Sequence, residues 1–117
     1  MIKLYGLKNC DTCRKAQKWL AAKGVEHTFY DVRADGLSHQ QIEGWVKELG
    51  WETVLNRRST TWRGLSDADR DGLDDGRAVE LMKAHPTLIK RPVIETGTTT
   101  MVGFAQATEK ALNEITQ

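Results

Sequence analysis

The first 32 residues of this chain restrict its fold more than any other stretch. "IKLYG" is a short β-type run closed by Gly6. "DTCRKAQKWLAAKG" then has helical spacing, with Ala16 and Leu20 on one line, Cys13 and Trp19 on a neighbouring line, and Gly24 as the stop. "VEHTFYDV" alternates apolar and polar residues and is rich in β formers, so it predicts a second strand. Strand, helix and strand within about 30 residues make a βαβ unit, which implies parallel strands joined by a right-handed crossover.

The remainder supplies helices and a hairpin. "DGLSHQQIEGWVKELGW" is the clearest helix: Ser38 and Gln41 fit a capping box, and Ile42, Trp45, Val46 and Leu49 form one apolar stripe ended by Gly50. Residues 51 to 64, "WETVLNRRSTTWRG", follow no single period. Ser66 and Asp67 open a short helix, and "DDGRAVELMKAHP" predicts another with Val79 and Met82 inward. "RPVIETGTTTMVGF" reads as a hairpin, with Val93 and Ile94 in one strand, Thr98 to Val102 in the other, and the turn at Thr96-Gly97. In "AQATEKALNEITQ", Ala111, Leu112 and Ile115 are the apolar face of a final helix. A βαβ half joined to a ββα half through helices is the thioredoxin-like arrangement, an α/β fold on a mixed four-stranded sheet. With no repeat, low-complexity tract or linker, residues 1–117 are expected to form one domain.

Length and charge bound the function. A chain of 117 residues buries a core without disulfide staples. A formal net charge of +1 gives no bulk field for nucleic acid or an anionic membrane. No apolar run approaches the roughly 20 residues of a membrane span, and "MIKLYGLKNC" is too short and polar for a signal peptide. A cytoplasmic setting is therefore expected, where thiols are kept reduced.

Both cysteines lie in "KNCDTCRKA". At a C-x-x-C spacing on a helix start, Cys10 and Cys13 share a face and approach disulfide distance. Cys10 stands at the strand-to-helix junction, where unpaired backbone N–H groups and the helix dipole favour a thiolate. Lys8 and Arg14 add positive potential, and Asp11 opposes them. Such surroundings lower a cysteine pKa from about 8.5 into roughly the 3.5–7.5 range, and the thiolate is the nucleophile. Three readings of the pair compete. A zinc site needs about four ligands, but the chain has no other cysteine, and His27, His39 and His85 lack ligand spacing, so no metal is expected. Two small buried residues are the bland alternative. The position within a βαβ unit favours redox use, with Cys10 attacking a disulfide or an electrophilic oxyanion and Cys13 resolving the adduct. No histidine is placed to act as a base, and a dipole-stabilised thiolate needs none. Asn9, just before the nucleophile, serves as a turn former or as a hydrogen-bond donor to it.

The segments "LYGLKNCDTCRKA…WL", "DGL", "ELGWE", "LNRRSTTWR", "IKRP" and "VGF" resemble the arsenate reductase-like (ArsC) family, its YffB branch in particular, which neighbours the Spx regulators. The resemblance spans the first strand to the last helix. It implies a helical insertion at about residues 35 to 88 and a nucleophile at Cys10. It also implies an oxyanion pocket using Arg57 and Arg91, with Arg58 as the adjacent candidate, and a cis-proline at Pro92. Two departures bear on activity. Phe104 stands about where true arsenate reductases carry a third arginine, and loss of a guanidinium weakens oxyanion binding and transition-state stabilisation. Those enzymes also lack a cysteine at position 13 and resolve their adduct with glutathione. The resemblance thus implies a glutathione-dependent thiol reductase. Glutathione would be co-substrate rather than a permanently bound cofactor, its carboxylates held by Arg57 and Arg91, and the substrate a disulfide or a glutathionylated thiol. Arsenate reduction is one alternative. The other is an Spx-like redox-sensing regulator that binds RNA polymerase.

Overall fold

The structure is a computed structural model, and it describes residues 2–116, the side chain of Thr116 excepted. The chain forms two compact units, one made of the residues through Asp31 with those from Arg91 onward, the other of Val32–Lys90.

The first unit carries β1 (Ile2–Gly6), α1 (Asp11–Ala22), β2 (His27–Asp31), β3 (Val93–Glu95), β4 (Thr100–Val102) and α7 (Gln106–Thr116). Its sheet runs β2-β1-β3-β4. β1 and β2 are parallel, with Leu4 beside Phe29 and Gly6 beside Asp31. β3 is antiparallel to both β1 and β4, with Leu4 beside Ile94 and Ile94 beside Met101. This is the mixed four-stranded sheet of a thioredoxin-like α/β fold. Ile2, Leu4 and Ile94 from the strands pack with Ala16 and Leu20 of α1, Leu112 of α7 and Phe104, and Trp19, Val25, Phe29 and Met101 border them.

Three expectations are corrected here. β2 is shorter than the apolar-polar alternation suggests and is half-buried along most of its length rather than alternating, because it is an edge strand. β4 begins at Thr100, not Thr98. The Thr96 N–H donates to the Thr99 carbonyl at 3.0 Å and its Oγ1 accepts the Thr99 N–H at 3.2 Å, which takes residues 96–99 into the turn. Ile115 is 45% exposed, since it lies one turn beyond the buried Leu112, in the last turn of α7.

The second unit carries α2 (His39–Leu49), α3 (Trp51–Val54), α4 (Thr60–Arg63), α5 (Asp67–Arg70), α6 (Asp75–Ala84) and a 3₁₀ turn at Pro86–Leu88. Ser38 and Gln41 form the expected capping box on α2, their two bonds measuring 2.9 and 3.1 Å. Ser66 caps α5, and Asp74 caps α6. α2 packs on α6, burying Ile42, Trp45, Val46, Ala78, Val79 and Met82. The segment without a clear period resolves into α3 and α4, and between them Leu55 bridges Ile89 in antiparallel fashion. Among the described residues no helix is long and apolar enough to cross a membrane.

Candidate active site

The site is built where β1 hands over to α1. After Gly6 the chain makes a β-turn over residues 7–10, closed by the Cys10 N–H donating to the Leu7 carbonyl at 3.2 Å. Lys8 and Asn9, at its two central positions, are exposed. Cys10 is the N-cap of α1, extended at φ −94° and ψ 120°, and its carbonyl accepts the Arg14 N–H at 3.0 Å. The N-cap position puts the sulfur near the first-turn N–H groups, which have no partner within the helix.

Both cysteines are thiols in this structure, and they differ sharply in exposure. Cys10 is partly exposed, whereas Cys13 is fully buried. Burial by itself raises the Cys10 pKa. The Cys13 N–H, the Cys13 thiol, the Arg91 guanidinium and the Thr12 N–H outweigh it, so the thiol ends below its ordinary range. Cys13 behaves in the opposite way. Burial, its hydrogen bond to the Cys10 sulfur and the Cys10 negative charge push its pKa up to about 12, although the Leu7 N–H and Arg91 pull against the rise. The pair is thus an activated sulfur supported by an un-ionised thiol that donates to it.

Gly6 permits this packing. A Cβ built there would fall well inside van der Waals contact of the Cys13 sulfur and 3.3 Å from the Cys13 Cβ. A glycine closing a strand reads from sequence as a turn signal, so its facing Cys13 carries no local signature. Asp31 was equally invisible. It is buried at 8% exposure, stands beside Gly6 at the end of β2, and its Oδ2 accepts the Lys8 N–H at 3.2 Å.

The other expected residues fall as follows. Arg91 is half-buried, and it is the cation that lowers the Cys10 pKa. The Arg91–Pro92 peptide bond is cis. Pro92 is buried, and its carbonyl accepts the Gly103 N–H at 2.8 Å. Arg14 is exposed on α1, 3.7 Å from Asp11. Arg57 belongs to the second unit, where it is exposed with its guanidinium carbon 5.8 Å from the Trp51 ring centroid. Phe104 is 7% exposed and meets Trp19 edge-on at 5.8 Å, inside the apolar core of the first unit. Among the described residues no three His, Cys, Asp or Glu side chains converge in a metal-holding group.

Comparison with known proteins places nearly the whole chain in one family. The family model described as "ArsC family" matches residues 5–112. An uncharacterized protein of Haemophilus influenzae is 43% identical over 104 residues, covering 89% of this chain and 91% of that protein. The global transcriptional regulator Spx of Listeria innocua is 29% identical over 106 residues, covering 89% of this chain and 80% of Spx. Among solved structures, the YFFB (PA3664) protein superposes with a TM-score of 0.90 at 45% identity, covering 95% of this chain and 97% of that one. An arsenate reductase (ArsC) related protein from Brucella melitensis gives 0.76 at 41% identity, covering 97% and 94%.

Proposed function

The chain belongs to the ArsC family, and from that premise we propose that it is a glutathione-dependent thiol reductase with the Cys10 thiolate as nucleophile. The observation that carries the reading is the asymmetry of the two sulfurs: Cys10 is partly exposed with a lowered pKa, and Cys13 is buried with its own raised to about 12.

The reaction is two thiol–disulfide exchanges. The Cys10 thiolate attacks the glutathione sulfur of a glutathionylated thiol, forming a Cys10–glutathione disulfide, and the substrate leaves as a thiolate that takes a proton from solvent. A glutathione thiolate then attacks the glutathione sulfur of that adduct, forming glutathione disulfide and returning the Cys10 thiolate. The net change is one glutathionylated thiol plus one glutathione giving one free thiol plus glutathione disulfide. A lowered pKa makes Cys10 the faster leaving group in the second step. In the resting enzyme the same lowered pKa raises the fraction of Cys10 present as thiolate. Arg91 offers charge-assisted binding to a glutathione carboxylate. The burial of Cys13 favours glutathione over Cys13 as the resolving thiol, and Cys13 then serves as hydrogen-bond donor to the Cys10 sulfur.

The test is reduction of a glutathionylated peptide by glutathione, with glutathione disulfide formation followed by coupled NADPH oxidation. Wild type turns over, Cys10→Ser does not, and Cys13→Ser keeps most of the rate. Wild-type turnover no faster than the uncatalysed exchange sinks the reading.

Similarity to Spx supports a second reading, a redox-sensing regulator that binds RNA polymerase. Stoichiometric capture of purified RNA polymerase by the oxidised chain only, together with absent turnover, distinguishes it. Arsenate reduction is the weaker choice, because Phe104 lies in the apolar core where the resemblance places an oxyanion-binding arginine.

A further inference from the structure

We propose that Asp31 is a positioning residue for Cys10: its buried carboxylate fixes the β1–α1 turn by accepting the Lys8 N–H, and so holds the sulfur against the first turn of α1. The inference rests on the reading of Cys10 as the nucleophile and adds a residue from a neighbouring strand to its support.

Asp31 and Thr100 are the polar residues buried among those described. A buried carboxylate is costly unless it is hydrogen-bonded, so an aspartate at this point calls for an explanation. The parallel register sets Asp31 beside Gly6, the last residue of β1. From there its Oδ2 reaches the Lys8 N–H at 3.2 Å, two residues before Cys10. Within the turn and toward α1, the Cys10 N–H donates to the Leu7 carbonyl and the Leu7 N–H to the Cys13 sulfur. Asp31 brings in a third element, the edge strand β2. Lys8 holds the second position of the turn, where the N–H is not used in closing it. That N–H is therefore free to point sideways to the carboxylate. The groups that face the Cys10 sulfur are Cys13, Arg91 and the first-turn N–H groups of α1. Each acts over a short range, so a turn that drifts by an ångström loses part of all of them.

The experiment uses the full chain and measures the rate of Cys10 alkylation against pH, with the modified residue identified by mass spectrometry. Asp31→Asn keeps an oxygen that accepts the Lys8 N–H, and its midpoint stays at or slightly below that of wild type. Asp31→Ala removes the acceptor and raises the midpoint by about one pH unit, a tenfold change in thiolate fraction. Lys8→Pro removes the donor at a turn position that proline fits, and its midpoint rises by a similar amount. Lys8→Ala, which removes the cation and keeps the N–H, leaves the midpoint near wild type. Combining Asp31→Ala with Lys8→Pro adds no further shift, since both delete one bond. If Asp31→Ala does not fold, Asp31→Asn and the Lys8 pair decide the matter. The proposal is overturned if Asp31→Ala or Lys8→Pro superimposes on wild type, or if Asp31→Asn shifts as far as Asp31→Ala. A wild-type midpoint at the ordinary thiol value defeats the proposed nucleophile itself, whatever the variants do.

Discussion

Replacing Gly6 with alanine should destabilise the chain through one atom pair. Gly6 does not have a positive φ, so alanine meets no backbone penalty at that position. The cost comes from its methyl group, which falls inside contact range of the Cys13 sulfur and within 3.3 Å of the Cys13 Cβ. The sulfur is at a fully buried position on α1 and cannot swing into solvent without unpacking its surroundings. Overpacking of this kind costs about 1–3 kcal/mol, a fall in Tm of roughly 5–15 °C for a chain of this size. Cys13→Ala removes the sulfur and leaves the 3.3 Å carbon contact, which a few tenths of an ångström of adjustment relieves, beside an ordinary 3.6 Å contact with the Phe29 ring. In that background Gly6→Ala should cost under about 0.5 kcal/mol. Urea or thermal unfolding of wild type, both single variants and the double variant gives the coupling energy directly. Additive effects within about 0.5 kcal/mol refute the assigned contact. Gly6→Ala should also raise the Cys10 alkylation midpoint, because displacing the Cys13 thiol removes a hydrogen bond to the Cys10 sulfur.

Stability should fall between pH 9.0 and about 12, where the unfolded Cys13 thiol ionises and the folded one stays protonated. This group adds up to about 1.4 kcal/mol per pH unit to the slope, and Cys13→Ala should flatten the alkaline limb of a denaturant-midpoint profile; an unchanged limb contradicts the raised pKa. Phe104→Arg should lose about 3–5 kcal/mol by deleting the ring from the core and gain no arsenate turnover; a stable variant with raised arsenate turnover means that the side chain can leave the core for the site. Arg91→Met should raise the Cys10 alkylation midpoint and the glutathione KM together; a shift in neither shows that Arg91 does not act at this sulfur.

The topology was legible because its signals are local. The apolar spacing from Cys13 to Leu20, the Ser38 and Gln41 cap and the β-rich runs either side of α1 each specify an element within a dozen residues. The N-cap position of Cys10 could also be read, since it follows from the strand-to-helix junction alone. What supports that position could not. Gly6 matters through a residue seven positions along that folds back over it, and Asp31 through a backbone group 23 residues away. The Asp31 contact follows from the parallel register of β1 and β2, which alternation alone does not set, and the Gly6 contact from the way α1 folds back onto the end of β1. Ile115 fits the apolar stripe of α7 yet remains exposed, because periodicity gives the face of a helix but not where along it the core ends. Phe104 was noted for the arginine it replaces, and its packing on Trp19 depends on tertiary contact.

The proposed chemistry turns on one ionisation. Alkylation of wild-type chain followed residue by residue across pH 5 to pH 10 should show Cys10 reacting first, with a midpoint clearly below about 8.5, while Cys13 stays unmodified in the folded protein. A Cys10 midpoint at or above that value, or a Cys13 that reacts as readily as Cys10, contradicts it.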